Sequence, residues 1–134
     1  MIGVLVVSHG SIGEALLTSA SQILGSMPPQ VATLSVWRQD DPDDLVLRAR
    51  ELLDALDAGD GVLVLTDIFG ATPGNVVSRL LQDGRIEGVS GVSLPMLLRV
   101  LTSRNGSLPA AVQRARSGGA DGVVHMNQDR CCDA

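Results

Sequence analysis

Two side chains in this 134-residue sequence have types and settings suited to chemistry: His9 and Asp67. Each comes at the end of a short apolar run, Ile2-Gly-Val-Leu-Val-Val7 in one case and Val62-Leu-Val-Leu65 in the other. Runs of this length, rich in β-branched residues, mark strands buried on both faces of a parallel sheet. A residue just past such a strand has a rigid backbone while its side chain emerges at the sheet's edge. If Asp67 accepts a hydrogen bond from one ring nitrogen of His9, it fixes the tautomer. The other nitrogen then offers its lone pair as base, ligand or nucleophile.

The neighbours narrow that choice. Gly10, Ser11, Gly13, Gly70 and Thr72 are small, and two helices are predicted to start among them, so unpaired backbone N–H groups gather there. Such a place welcomes an anion, and phosphate is the natural one. An imidazole nucleophile beside a phosphate cradle points to phosphoryl transfer through a phosphohistidine. Plainer readings of the same residues exist: a structural loop histidine, an aspartate that caps its own loop, and caps at Ser11 and Thr72. His125 has no matching partner in sequence and reads as structural. Trp37 ends a strand, either as core packing, as a wall of the crevice or as a partner contact.

The elements that must position these residues alternate along the chain. After the first strand, Ile12, Ala15, Leu16, Ala20, Ile23 and Leu24 form a helical stripe that stops at Gly25 and Pro28-Pro29. Val31 to Trp37 is a second strand. Asp40-Asp41-Pro42-Asp43-Asp44 then opens a helix with a cap, a first-turn proline and acids at the positive end of the dipole. Its stripe is Leu45, Ala49, Leu52, Leu53 and Leu56. A third helix starts with Thr72 as N-cap and Pro73 as first residue, and carries Val76, Val77, Leu80 and Leu81. A weaker fourth strand spans Ile86 to Val92. Two helices follow, one opened by Ser93-Leu94-Pro95 and one closed by Gly118-Gly119. Gly122 to Met126 reads as a short C-terminal edge strand. This spacing predicts an α/β fold with one doubly wound, mainly parallel sheet and helices on both faces, and the order 2-1-3-4 is expected as the commonest small version of that fold. In that order the crevice between strands 1 and 3 is the switch point, and the loops bearing His9 and Asp67 both reach it.

Composition excludes several classes of function. Fifteen acids face ten basic residues, all arginine, and one Trp and one Phe are the only aromatics. A formal charge of −5 with no basic stripe or stacking platform argues against nucleic acid as a partner. No apolar run approaches a bilayer span and no basic segment precedes a cleavable one, so a cytoplasmic location is expected. Cys131 and Cys132 are adjacent, which suits neither a structural disulfide nor a metal site. No metal and no cofactor is expected.

Three motifs resemble a known family. Val7-Ser8-His9-Gly10-Ser11, Thr66-Asp67-Ile68-Phe69-Gly70-Ala71-Thr72-Pro73-Gly74-Asn75 and Gly91-Val92-Ser93-Leu94-Pro95-Met96-Leu97 are similar to the IIA domain of the mannose family of the bacterial phosphoenolpyruvate-dependent sugar phosphotransferase system. The likeness runs in order over nearly the whole chain. It implies a domain over 1–126 with a tail at 127–134.

The resemblance implies a phosphocarrier. His9 would take a phosphoryl group on Nε2 from the phosphohistidine of HPr and pass it to a histidine of a IIB domain. Asp67 would orient the ring through Nδ1, and Thr72 would hydrogen-bond the phosphoryl group. Gly10, Ser11 and Gly70 complete the implied phosphate-binding set. Trp37, Phe69, Leu94 and Met96 are expected to line a shallow partner surface. The family implies a homodimer that exchanges its last strand, and contact with the membrane only indirectly, through IIC and IID components. Ala71 stands where a second glycine is common and Ser93 where asparagine is frequent. The chain ends without the linker and IIB domain that many relatives carry, so transport through a separate protein, or regulation by phosphorylation state, are both consistent. A tetrapyrrole metal chelatase also starts with a strand and a His-Gly loop. That reading needs a second strong ligand near His9, and His125 is poorly placed to supply one.

Overall fold

The computed structural model describes residues 1–128. Strands β1 (Gly3–His9), β2 (Val31–Val36), β3 (Val62–Thr66) and β4 (Ile86–Val89) form a parallel sheet of order β2-β1-β3-β4. Helices α1 (Ile12–Leu24), α2 (Pro42–Leu56), α3 (Thr72–Ser78), α4 (Leu94–Leu101) and α5 (Leu108–Asp121) connect and follow them. The doubly wound α/β fold in the order 2-1-3-4 is therefore the observed one.

Successive residues of each central strand serve opposite faces of the sheet. Leu5, Val7, Val62 and Val64 join Leu45, Ala49 and Leu53 of α2 and Val76 and Val77 of α3 in one core. Val4, Val6, Leu63 and Leu65 join Ala20 of α1, Leu97 and Val100 of α4, and Ala111 and Ala115 of α5 in another. Both faces are covered by helices, so a period-2 element needs apolar residues at every position. Each fully buried Val or Leu of these two strands contributes roughly 1.5–3 kcal/mol. No helix of the described residues is long and apolar enough to cross a membrane.

Several expectations are corrected. Helix α1 buries Gly13, Leu17 and Ala20, with Leu16 partly buried against the same core, and leaves Ile12, Ile23 and Leu24 exposed, so only Leu16 and Ala20 of the expected stripe face the sheet. A Cβ on Gly13 would sit 3.0 Å from Val6 Cγ1, which shows why the smallest residue marks the touching face. Helix α3 starts at Thr72 with Ala71 at the cap position, so Thr72 is not the N-cap. Strand β4 ends at Val89 rather than near Val92. Helix α5 runs through Gly118-Gly119 to Asp121. A Cβ on Gly118 would lie 3.0 Å from Arg99 Cβ, and one on Gly119 would lie 2.9 Å from Met96 Cε. Close packing on α4 thus outweighs the propensity cost of about 1 kcal/mol per glycine.

Gly122 to Met126 forms no edge strand. The Gly122 N–H donates to Gly118 O, and the chain continues irregularly into a turn over 126–128, with Val123 and Met126 exposed. Gly122 packs directly on Pro95 of α4, where a Cβ would come within 2.6 Å of Pro95 Cβ. That contact holds the segment in the helix layer instead of the sheet plane. Residues 129–134, including Cys131 and Cys132, lie outside the described residues.

At the amino ends of the strands, buried Arg104 donates from Nη1 to Ile2 O (3.3 Å) and to Gln30 O (3.2 Å). Its own carbonyl accepts the Ile2 N–H at 3.0 Å. Burial pushes its pKa down, yet a guanidinium does not lose its proton in a protein, so carbonyl dipoles compensate the charge.

The tightest helix–sheet approach yields a stability test. A Cβ on Gly3 would stand 2.5 Å from Leu56 O and 2.9 Å from Leu56 Cβ at the end of α2. Gly3→Ala is expected to cost about 1–3 kcal/mol in urea denaturation. Unchanged stability would mean that α2 slides freely away from β1.

Candidate functional site

The strand ends at the carboxyl edge of the sheet build this site. In the parallel ladder Val7 pairs with Thr66 of β3, and His9 pairs with Val36 of β2. Strand β3 stops at Thr66, so the next donor of β1 on that side, the His9 N–H, has no backbone acceptor. Asp67 Oδ2 takes it at 3.0 Å. The same oxygen lies 2.7 Å from Nδ1 of the His9 ring, and Oδ1 accepts the Ile68 N–H at 3.0 Å. One carboxylate therefore ends the ladder, fixes its own loop and grips the imidazole.

Burial pushes the Asp67 carboxyl pKa up, but the bonds it accepts from the His9 N–H and ring outweigh this and hold it below its usual value. An ionised carboxylate can only accept, so Nδ1 carries the proton and the neutral ring keeps its lone pair on Nε2. The His9 side chain is 49% exposed and that of Asp67 11%. The anchor is sheltered while the ring reaches solvent.

The remaining predicted site residues divide. Gly10 adopts φ +49°, and Gly70 φ +86°, left-handed conformations that favour glycine at both turns. Ser11 occupies the position before α1, but its side chain makes no capping bond there. The buried Ser8 hydroxyl accepts the Gly13 N–H at 2.8 Å instead. Thr72 is exposed in the first turn of α3 and also makes no side-chain cap. Phe69 is 82% exposed and Trp37 50%. Met96 is 3% exposed and part of the core, packed on Gly119 of α5 at the wall of a cleft beside β4, so it offers no exposed partner surface. Leu94 is half-buried and packs against the same core.

Sequence reasoning missed three residues. Ser8 hid behind the more conspicuous Ser11. Ile12 and Ile68 are exposed beside the two loops, although an apolar type alone suggests core. Their separation from His9 and Asp67, three residues and one, was the available signal. Two clefts, of about 560 Å³ and 260 Å³, flank β4 and share Gly88, Val89 and Ser90; His9 lines neither. The ring is thus presented at a rim. Among the described residues no group of three or more His, Cys, Asp or Glu side chains could hold a metal ion.

Comparison with known proteins gives the chain's relatives. The family model EIIA-man, described as the PTS (phosphotransferase system) fructose IIA component, matches residues 3–115. The chain is 31% identical over 125 residues to the PTS system mannose-specific EIIAB component of Escherichia coli K12, covering 91% of this chain and 38% of that protein. It therefore spans well under half the length of that relative. It is 32% identical over 105 residues to the PTS system fructose-specific EIIA component of Bacillus subtilis, covering 78% of this chain and 71% of that one. The crystal structure of the phosphotransferase system component EIIA from Streptococcus agalactiae superposes with TM-score 0.85 at 26% identity, over 96% of this chain and 99% of that one.

The lowered pKa of Asp67 gives a pH test with a definite sign. Its stabilising contribution is fully present above the ordinary carboxylate pKa of about 3.9, and is lost as pH falls through the lowered folded-state value. Asp67→Asn is expected to lose about 1–3 kcal/mol at neutral pH. The gap from wild type should close only in strong acid. A gap that is equally wide at pH 2 would show that the charge contributes nothing.

Proposed function

The chain belongs to the mannose-type EIIA family of the phosphotransferase system, and from that premise we propose that it is a phosphocarrier working through His9. One observation carries the reading: the His9 ring is held through Nδ1 by sheltered Asp67 while half of its side chain is open to solvent.

The proposed donor is phospho-HPr. His9 Nε2 attacks the phosphorus, the N–P bond of the donor phosphohistidine breaks, and an Nε2–P bond forms. The proton on Nδ1 stays where it is, so the phosphorylated ring is cationic and Asp67 neutralises it. Bonds of the same kind break and form, which makes the step reversible. A second transfer of the same form delivers the group to a histidine of a IIB domain, for sugar uptake or regulation. The loose transition state spreads charge over three equatorial oxygens, so alignment and hydrogen-bond donors matter more than proton transfer. In this reading Gly10, Ser11, Gly70 and Thr72 receive those oxygens; the absence of a side-chain cap from Ser11 and the exposure of Thr72 support it. No metal or cofactor enters either step.

Phe69 and Trp37, together with Ile12 and Ile68, are the proposed partner face, and the exposure of all four supports it. Any contact with the membrane is indirect, through IIC and IID components. A homodimer that exchanges C-terminal segments is part of the proposal. Its support is that β4 ends the sheet with no further strand among the described residues, while Val123, Val124 and Met126 lie exposed.

Three measurements test these statements. Incubation with phosphoenolpyruvate, enzyme I and HPr is expected to add one phosphoryl group by intact mass, acid-labile and base-stable, and absent in His9→Gln. Asp67→Asn should slow the transfer by about 10²-fold. Wild-type protein left unmodified by competent phospho-HPr defeats the proposal. Light scattering should give twice the chain mass at micromolar concentration; a stable monomer there rules out the exchanged dimer.

A further inference from the structure

We propose that Trp37 is a positioning residue for His9, acting through the turn at Gly10; this rests on the reading of His9 as the phosphoryl acceptor. Two backbone bonds bracket the histidine. Its own N–H goes to Asp67 Oδ2, and the next one, of Gly10, donates to Val36 O at 2.9 Å. The first bond is sheltered by a carboxylate that also holds the ring. The second lies at the open end of the sheet, on a residue that has no side chain to cover it.

The Trp37 indole supplies the cover. Its Cζ3 and Cη2 atoms lie 3.2 Å and 3.4 Å from the point where a Cβ of Gly10 would be. Gly10 is left-handed at φ +49°, so two constraints, the conformation and the ring, call for glycine there. The indole is half exposed, a costly setting for so large an apolar group unless something fixes it. A turn does so. The Trp37 N–H donates to Asp40 Oδ2 at 2.8 Å, and the Asp40 N–H donates back to Trp37 O at 3.0 Å.

The consequence is mechanical. With the indole in place, the Gly10 bond to Val36 is shielded on one side from competing water, and the left-handed turn cannot relax. The His9 backbone is then held from both β2 and β3, and its ring keeps one bearing. Without the indole, Gly10 can peel from β2, and His9 pivots about the single grip of Asp67. A displacement of about 1 Å at a reacting atom can cost up to 10²-fold in rate.

The test has two arms. In amide hydrogen exchange the Gly10 N–H of wild type should be protected, with protection lost by about tenfold or more in Trp37→Ala and retained in Trp37→Phe. Equal exchange in wild type and Trp37→Ala, or an unprotected wild-type amide, overturns the proposal. In phosphorylation by phospho-HPr, Trp37→Ala should lower kcat by about tenfold, with Trp37→Phe restoring most of it. A rise in KM alone would mean that Trp37 only docks the donor, and overturns the proposal. Should Trp37→Ala fail to fold, Asp40→Ala loosens the same indole and the same two readouts decide. Wild-type protein that phospho-HPr leaves unmodified sinks the phosphocarrier reading, while the exchange arm still judges the role of Trp37 in holding the turn.

Discussion

One carboxylate at the end of a hydrogen-bond ladder organises this molecule's open edge. A parallel sheet leaves backbone donors unmatched wherever one strand outruns its neighbour, and β1 outruns β3 at His9. An unmatched donor near a core costs about 1–3 kcal/mol, so something must accept it. Asp67 does, and in doing so it lies beside Nδ1 of the same residue. The geometry that completes the sheet also orients the imidazole. Structural and chemical roles are therefore inseparable at Asp67.

The topology makes that coincidence possible. Chain segments leave β1 towards β2 and β3 towards β4, in opposite directions, and so open a crevice where the two loops part. Strands buried on both faces hold the loop roots still. Left-handed turns at Gly10 and Gly70 shape the two loops that follow β1 and β3. The imidazole itself is half open to solvent at that edge.

Much of this was legible in the sequence, for a physical reason. Continuous apolar runs of four to six residues have few explanations, their alternation with helical periods implies a parallel, doubly wound sheet, and 2-1-3-4 is the commonest small version of that fold. Placing His9 near Asp67 followed from that order. What the sequence concealed depends on interfaces between elements. Gly13 looks like a weak point of α1, yet it lies on the contact face with Leu17 and Ala20, while Ile12 and Ile23 are left in solvent. Gly118-Gly119 reads as a helix stop until α4 is seen lying against it. Met96 and Phe69 are equally apolar in composition, and only the packing of α4 on α5 sends one inside and leaves the other in solvent. The segment after Gly122 has strand-like residues, but Gly122 packs on Pro95 of α4 and the residues beyond it form no strand.

Arg104 gives the amino end of the sheet one fastening that acid does not touch. Its acceptors are peptide carbonyls, which do not titrate, and it is itself charged at any pH a cell meets. Asp67 at the opposite end does titrate, and so does Asp57 beside the start of β3, which accepts the Gly61 N–H and pairs with Arg85. Acidification therefore loosens the two corners that hang on carboxylates, while the corner where β1 and β2 begin stays fastened.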